Sequence, residues 1–285
     1  MKKKKIFFLT GDPLAEPLRA VIARHNLAAR KALGQHFLLD LNLTARIAAA
    51  AAPLAGRQVI EIGPGPGGLT RALLGSDAAS VTAIEIDPRA IAALAELQPA
   101  AGARLTVIAA DALGLDYPAL VPAPRVIVAN LPYNIATPLL IGWLRAAGAF
   151  EHLVLMFQLE VAERICAAPG SAAYGRLAVL AQFLCATELV LRLPPEAFTP
   201  PPAVMSAVVR LTPHRNQPPP ALRAALERVT AAAFGQRRKM LRRALAPLGG
   251  EALLAAAGIN PTRRAETLSV AEFAHLAALL VTQGD

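Results

Sequence analysis

The sequence predicts an α/β protein with a small all-helical domain at its C-terminal end. Two observations carry this. Five short apolar runs, 58–62, 81–86, 105–109, 126–129 and 153–157, alternate with stretches of helical periodicity at 69–74, 88–97 and 138–147. Alternation of this spacing builds a parallel sheet covered on both faces. Beyond it, the proline-rich polar segment 213–220 separates off a tail that holds only helical patterns, at 222–234, 236–245, 251–257 and 270–280. The expected organisation is a basic N-terminal extension with a short helix (1–30), an α/β domain (31–213) and a helical domain (214–285).

The elements follow in order. Met1-Lys-Lys-Lys-Lys5-Ile-Phe-Phe-Leu9 imitates a signal peptide, but its apolar part stops at Leu9, short of the roughly 7–15 residues such a core needs. The lysine run is expected to be a disordered tip. Pro17 opens a short helix to about Asn26 with Leu18, Val21, Ile22 and His25 on one face. Asp40 is placed to cap a helix that runs to Pro53. After the fifth apolar run come a helix at 176–185 and two strands at 188–193 and 204–211. A proline-rich turn joins those strands, which suits a hairpin at one sheet edge. No apolar run is long enough to cross a bilayer, so a cytoplasmic location with no membrane partner is expected.

Charge is unevenly spread. The net charge is +9, yet 1–31 carries eight Lys/Arg against two Asp/Glu, 32–213 eleven against thirteen, and 214–285 ten against five. Basic ends around a near-neutral middle suit a catalytic core that grips a polyanion; they are equally common as solubility features. The two cysteines, Cys166 and Cys185, form no CxxC or Cys/His cluster, so buried thiols and no metal site are expected.

The chemistry-bearing residues sit where strands end. Glu61-Ile-Gly63-Pro64-Gly65-Pro66-Gly67-Gly68 places a glycine loop between strand and helix, where the backbone can approach a ligand closely. Gly63, Gly65 and Gly68 satisfy GxGxxG, which taken alone equally suggests NAD. Glu61, two residues before the first glycine, suits a cationic methionine moiety instead. Pro64 and Pro66 remove donors that a pyrophosphate needs. Glu85, at the end of the second strand, can accept from both ribose hydroxyls. Asp111, after the third, can accept from an adenine amino group. These acids could also be helix caps or solvated strand ends.

Asn130-Leu131-Pro132-Tyr133 follows the fourth strand. An adenine amino nitrogen is a poor nucleophile because its lone pair is delocalised into the ring. The Asn130 amide oxygen and a backbone carbonyl near Leu131 can accept its two protons and direct the lone pair at a methyl sulfonium. Pro132 stiffens the turn, and Tyr133 offers a ring for a flipped-out base. The plain alternative is that Asn130 caps a helix starting near Thr137 and Tyr133 is core.

These motifs, with Gly34-Gln35-His36-Phe37-Leu38, Tyr174-Gly-Arg-Leu177 and Phe198-Thr-Pro-Pro-Pro202-Ala-Val204-Met-Ser206, resemble those of the bacterial ribosomal RNA adenine dimethyltransferase family, of the small-subunit KsgA type. The resemblance spans about residues 31–278. It implies a Rossmann-like S-adenosylmethionine-dependent methyltransferase sheet acting as a monomer. It also implies two methylations on each of two adjacent adenosines near the 3′ end of 16S rRNA, in a small ribosomal subunit or its precursor. S-adenosyl-L-methionine contacts are implied at His36, Leu38, Gly63, Glu85, Asp111 and Asn130, and Phe198 is implied to face the base opposite Tyr133. Many members carry Asn at the position of His36; others carry His.

Five cations in seven residues, Arg237, Arg238, Lys239, Arg242 and Arg243, fall on a predicted helix and are candidates for RNA contact. Arg30 and Lys31 form a second candidate. Three rival functions share parts of this pattern: a 23S rRNA adenine methyltransferase, a non-catalytic assembly factor that keeps the fold, and an NAD oxidoreductase.

Overall fold

A computed structural model describes residues 13–30 and 34–282. The lysine run at 2–5 and Lys31 lie outside the described residues. Nine strands are present among the described residues: β1 (Phe37–Leu38), β2 (Gln58–Ile62), β3 (Ser80–Glu85), β4 (Leu105–Ala109), β5 (Arg125–Asn130), β6 (His152–Gln158), β7 (Cys185–Leu193), β8 (Phe198–Thr199) and β9 (Ser206–Pro213). The helices are α1 (Leu18–Arg24), α2 (Leu41–Ala50), α3 (Gly68–Leu74), α4 (Pro88–Ala95), α5 (Gln98–Ala101), α6 (Tyr117–Leu120), α7 (Tyr133–Arg145), α8 (Leu159–Ile165), α9 (Arg176–Leu184), α10 (Pro220–Gly235), α11 (Leu241–Ala244), α12 (Gly250–Ala256) and α13 (Val270–Thr282).

Seven strands form one sheet in the order β4-β3-β2-β5-β6-β9-β7. The β4-β3, β3-β2, β2-β5 and β5-β6 pairs are parallel, with Ile62 opposite Ile84, Glu85 opposite Ala109, and Asn130 opposite Met156. The strands β2, β3, β5 and β6 are buried along most of their length, as in a parallel sheet covered on both faces. Val59, Val81, Val126, Val128 and Val154 are buried in one core with Leu69 and Leu73 of α3. The order reverses between β2 and β5, which opens a crevice outside their carboxyl ends. The two strands expected at one sheet edge are neighbours there, with β7 outermost and β9 between it and β6, while the intervening β8 leaves to pair antiparallel with β1.

The chain divides into two compact units, 1–159 with 189–210, and 160–188 with 211–285. The boundary expected at 213 therefore shifts, and 160–188 joins the helical unit. The reason is packing. Tyr174, Ala178 and Val179 share a core with Leu226 and Val229 of α10, Leu253 and Leu254 of α12 and Phe273, Leu276 and Ala277 of α13. The N-terminal helix is no separate extension either, since Val21 and Leu27 pack against Ala90 and Ala93 of α4.

Local rules explain most element ends. Asp40 caps α2 by accepting from the Asn42 N–H at 2.8 Å. Two helices differ from expectation. α7 starts at Tyr133 rather than Pro138, and Pro138 lies inside it, where it removes one i→i−4 bond rather than marking the start. The expected helix 236–245 shrinks to α11, because 236–239 form a turn closed by Lys239 N–H to the Gln236 carbonyl at 2.8 Å. The backbone of Met240 is extended, and the first N–H groups of α11 donate to the carbonyls of Arg263 and Pro261 at 2.8 and 3.1 Å. Leu241 is buried there, whereas Met240 is exposed.

Asp87 joins three parts of the first unit. Its Oδ1 caps α4 by accepting from the Arg89 N–H at 3.1 Å. Its Oδ2 receives the Arg89 guanidinium at 2.6 Å, and that guanidinium also donates to the Asn26 carbonyl at 2.7 Å. The guanidinium hydrogen bond holds the Asp87 carboxyl below its usual range. Its stabilisation is therefore present above the unfolded carboxyl range and is lost as pH falls through the depressed folded value. Asp87→Ala is expected to cost about 1–2 kcal/mol at pH 7. Urea unfolding of wild type and variant should show that gap narrowing below about pH 4.

Candidate active site

A cleft of about 200 Å³ lies at the carboxyl ends of β2, β3 and β5, lined by the Gly34–Leu38 segment, the glycine loop, Glu85, Ile86, Asp111, Leu113 and residues 130–135. Every residue expected at the cofactor (His36, Leu38, Gly63, Glu85, Asp111 and Asn130) lines it, as do Leu131, Pro132 and Tyr133. The parallel register brings them together, because strands that end level place the residues that follow on one rim.

The glycine loop needs its glycines for two reasons. Gly63 and Gly65 have φ of +64° and +55°, a region that side chains disfavour. A Cβ on Gly65 would also stand 3.0 Å from the Phe37 ring. Beneath the loop, the Arg71 side chain is buried and donates to the Pro66 carbonyl at 2.8 Å, which braces the turn from inside.

The acids behave differently from one another. Glu85 is buried and accepts from Gly65 N–H at 3.1 Å through Oε2, and from the Ile86 and Asp87 N–H groups at 2.8 and 2.9 Å through Oε1. A ligand hydroxyl at Glu85 must therefore share oxygens already engaged by backbone. Asp111 is exposed, and its Oδ1 accepts from Leu113 N–H at 2.9 Å. Glu61 is 1% exposed and accepts from the Thr70 hydroxyl at 2.7 Å. Burial pushes its carboxyl up to about 8, only partly opposed by the Thr70 hydrogen bond.

Asn130 does not cap α7. Its Nδ2 donates to the His36 carbonyl at 3.1 Å, and the residue before α7 is Pro132, with no side-chain cap. His36 uses both its parts. Its backbone takes the Asn130 amide, while its Nδ1 donates to the Pro200 carbonyl at 2.8 Å. Its ring stacks on Tyr133, with centroids 5.5 Å apart and planes 27° apart.

Phe198 is not on the cleft wall. It is 2% exposed and belongs to the core with Leu38, Val128 and Met156, and its backbone pairs with Leu38 across the β1-β8 ladder. That pairing turns the ring inward, so the second aromatic beside Tyr133 is His36.

Sequence reasoning missed the apolar part of the cleft. Ile86 and Leu113 are 57% and 42% exposed and line it. Exposed aliphatic residues following Glu85 and Asp111 suit a flat apolar ring whose polar edge meets an acid. An isoleucine between two acids, where a strand ends at a ligand edge, was the available signal. The braced glycine loop, the aliphatic pair and the buried acid fit a nucleoside carrying a cationic methionine chain. Among the described residues, no group of three or more His, Cys, Asp or Glu side chains is placed to hold a metal ion.

The sequence pattern of the ribosomal RNA adenine dimethylases matches residues 26–281. The chain belongs to this family. Among relatives, the ribosomal RNA small subunit methyltransferase A of Gluconobacter oxydans is 63% identical over 262 residues, covering 92% of this chain and 86% of that one. The protein of the same name from Rhodospirillum rubrum is 58% identical over 275 residues, 96% and 95% of the two chains. Among solved structures, a dimethyladenosine transferase from Plasmodium falciparum superposes with a TM-score of 0.73 at 27% identity, covering 87% of this chain and 98% of that one. The 23S rRNA methyltransferase ErmE gives 0.69 at 29%, covering 86% and 99%. Family membership bears out the resemblance and the Rossmann-like methyltransferase fold. It makes the chain an S-adenosylmethionine-dependent adenine dimethyltransferase.

In the second unit the basic residues are less free than expected. Arg237 donates to the Ala172 carbonyl at 2.7 Å and lies 3.9 Å from Glu266, and Arg242 lies 3.6 Å from Glu251. Arg238, Lys239 and Arg243 are exposed, and their side chains make no hydrogen bond or ion pair to any of the described residues.

The state of Glu61 gives a pH test. With a carboxyl at about 8, the empty site is mostly protonated at pH 7, and a neighbouring cation favours the ionised form. Binding the cationic donor should release a proton, so affinity should rise with pH up to about 8 and then level off, by at most about tenfold per pH unit. Calorimetry of S-adenosylmethionine binding in buffers of different ionisation enthalpy should show this proton release, and Glu61→Gln should abolish it.

Proposed function

We propose that the chain transfers methyl groups from S-adenosyl-L-methionine to the N6 amino groups of two adjacent adenosines near the 3′ end of 16S rRNA. The substrate is a small ribosomal subunit or its precursor, and the protein acts as a monomer in the cytoplasm. The supporting observation is the fixed amide of Asn130. Its nitrogen is committed to the His36 carbonyl, so its oxygen is the end available to the cleft.

S-adenosylmethionine supplies an electrophilic methyl group on a sulfonium. The chain's own residues prepare the nucleophile. Asn130 Oδ1 accepts one amino proton of the adenine and a carbonyl near Leu131 the other, drawing the nitrogen towards tetrahedral geometry. Tyr133, at the start of α7 beside the amide, carries the ring on which the base stacks. The alkylated nitrogen is acidic and loses its proton without a strong base. Ile86 and Leu113 enclose the adenine of the donor, Asp111 accepts from its amino group, and Glu85 meets its ribose.

The small-subunit substrate is favoured over the 23S alternative by relatives of 53–63% identity that all carry the small-subunit name. The fold does not separate the two, since ErmE superposes nearly as well. No helix among the described residues is long and apolar enough to cross a membrane.

Two outcomes test the reading. Mass spectrometry of 16S rRNA from unmethylated small subunits, incubated with the protein and labelled donor, should show two dimethyladenosines. Asn130→Ala should lower their rate of formation on the order of 100-fold while S-adenosylhomocysteine affinity changes little; an unchanged rate removes Asn130 from this role. For RNA contact, we propose Arg238, Lys239 and Arg243 as the phosphate ligands, with Arg237 and Arg242 secondary because each already has an acidic neighbour. Neutralising those three should weaken subunit binding and flatten its log–log salt dependence by roughly 2–3 units.

A further inference from the structure

The Phe198–Ser206 segment was expected to contribute a base-facing ring, yet Phe198 is buried in the core. What the segment does reach is the pair of rings that stand in the cleft. The Pro200 carbonyl holds His36 at 2.8 Å, and Ser206 Oγ shares a 2.5 Å hydrogen bond with the Tyr133 hydroxyl. Ser206 is fully buried at the start of β9. A buried hydroxyl is costly without a partner, and here the partner is Tyr133.

A tyrosine ring has two torsions. Tyr133 is the first residue of α7, where no preceding helical turn packs against it and helical neighbours restrict it least. Its backbone is fixed by the stiff Pro132 turn, so the remaining freedom lies in the ring. A tether at the hydroxyl, which lies on the long axis of the ring, fixes where that axis points. His36 then covers the ring at a centroid distance of 5.5 Å.

We propose that Ser206 is a positioning residue for methyl transfer: its hydroxyl fixes where the Tyr133 ring axis points while the stacked His36 limits the ring's rotation, and together they set where the target adenine meets the Asn130 amide. This rests on the function proposed above. Ser206 touches neither substrate nor donor.

A double-mutant cycle tests it. Ser206→Ala and Tyr133→Phe each remove one partner and strand the other hydroxyl, so each single variant loses stability. Removing both leaves no stranded group, and the double variant regains stability. Under the proposal, turnover on small subunits falls about 3–10-fold in both single variants, as expected for one lost hydrogen bond. It falls equally in the double variant, with S-adenosylhomocysteine affinity unchanged in all three. Recovery of turnover together with stability in the double variant would make the bond a packing feature and overturn the proposal. So would multiplicative losses, or unchanged turnover in the single variants. Wild type that methylates no subunit adenosine would instead overturn the proposed function, which separates the two failures.

Discussion

A carboxamide has a donor end and an acceptor end, and its two orientations have opposite chemical meaning. In this protein the His36 carbonyl takes the donor end of Asn130 at 3.1 Å, which settles the orientation. The acceptor role proposed for Asn130 depends on that choice. An amide turned the other way would present N–H groups to an amino substrate and repel it. The orientation depends in turn on the His36 backbone, which precedes the β1-β8 ladder, and on the level ending of β2 and β5 in one sheet. A long chain of ordinary packing thus converges on one acceptor atom.

The surrounding electrostatics follow the same economy. Glu85 is stabilised as an acceptor by three backbone N–H groups, whereas Glu61 is buried with one hydroxyl and its carboxyl pushed up to about 8. Two carboxyls on neighbouring strands therefore do different work. Glu85 shapes the glycine loop through Gly65 and stays available at its rim. A cation beside Glu61 would make its charge tolerable. The buried Arg71, bonded to the Pro66 carbonyl, holds the loop from the opposite side.

Much of this was legible in the sequence. The five apolar runs, the glycine loop and the acids at strand ends each have a local cause, and Asp40 capped its helix as its chemistry requires. The features that were not legible are those decided by tertiary pairing. Nothing local says that Phe198 pairs with Leu38 and so turns into the core. Nothing in Gly235-Gln-Arg-Arg-Lys-Met says that the 236–239 turn and the carbonyls of Pro261 and Arg263 would replace the helix. The helical pattern was placed at 138–147, yet α7 begins at Tyr133 and Pro138 lies inside it. Ile86 and Leu113 were passed over because apolar residues are normally assigned to a core, and their exposure becomes informative only once the cleft is seen.

The helical unit draws on two stretches of chain, 160–188 and 211–285. Tyr174, Ala178 and Val179 from the first stretch are packed with side chains from α10, α12 and α13 of the second. No single cut can therefore detach it: severing the chain at the proline-rich segment leaves one part of a shared core on each fragment. The same interleaving constrains ancestry. A module whose interior is completed from the middle of its host cannot be gained by adding a coding segment at one end, nor lost by a premature stop without exposing apolar surface on what remains.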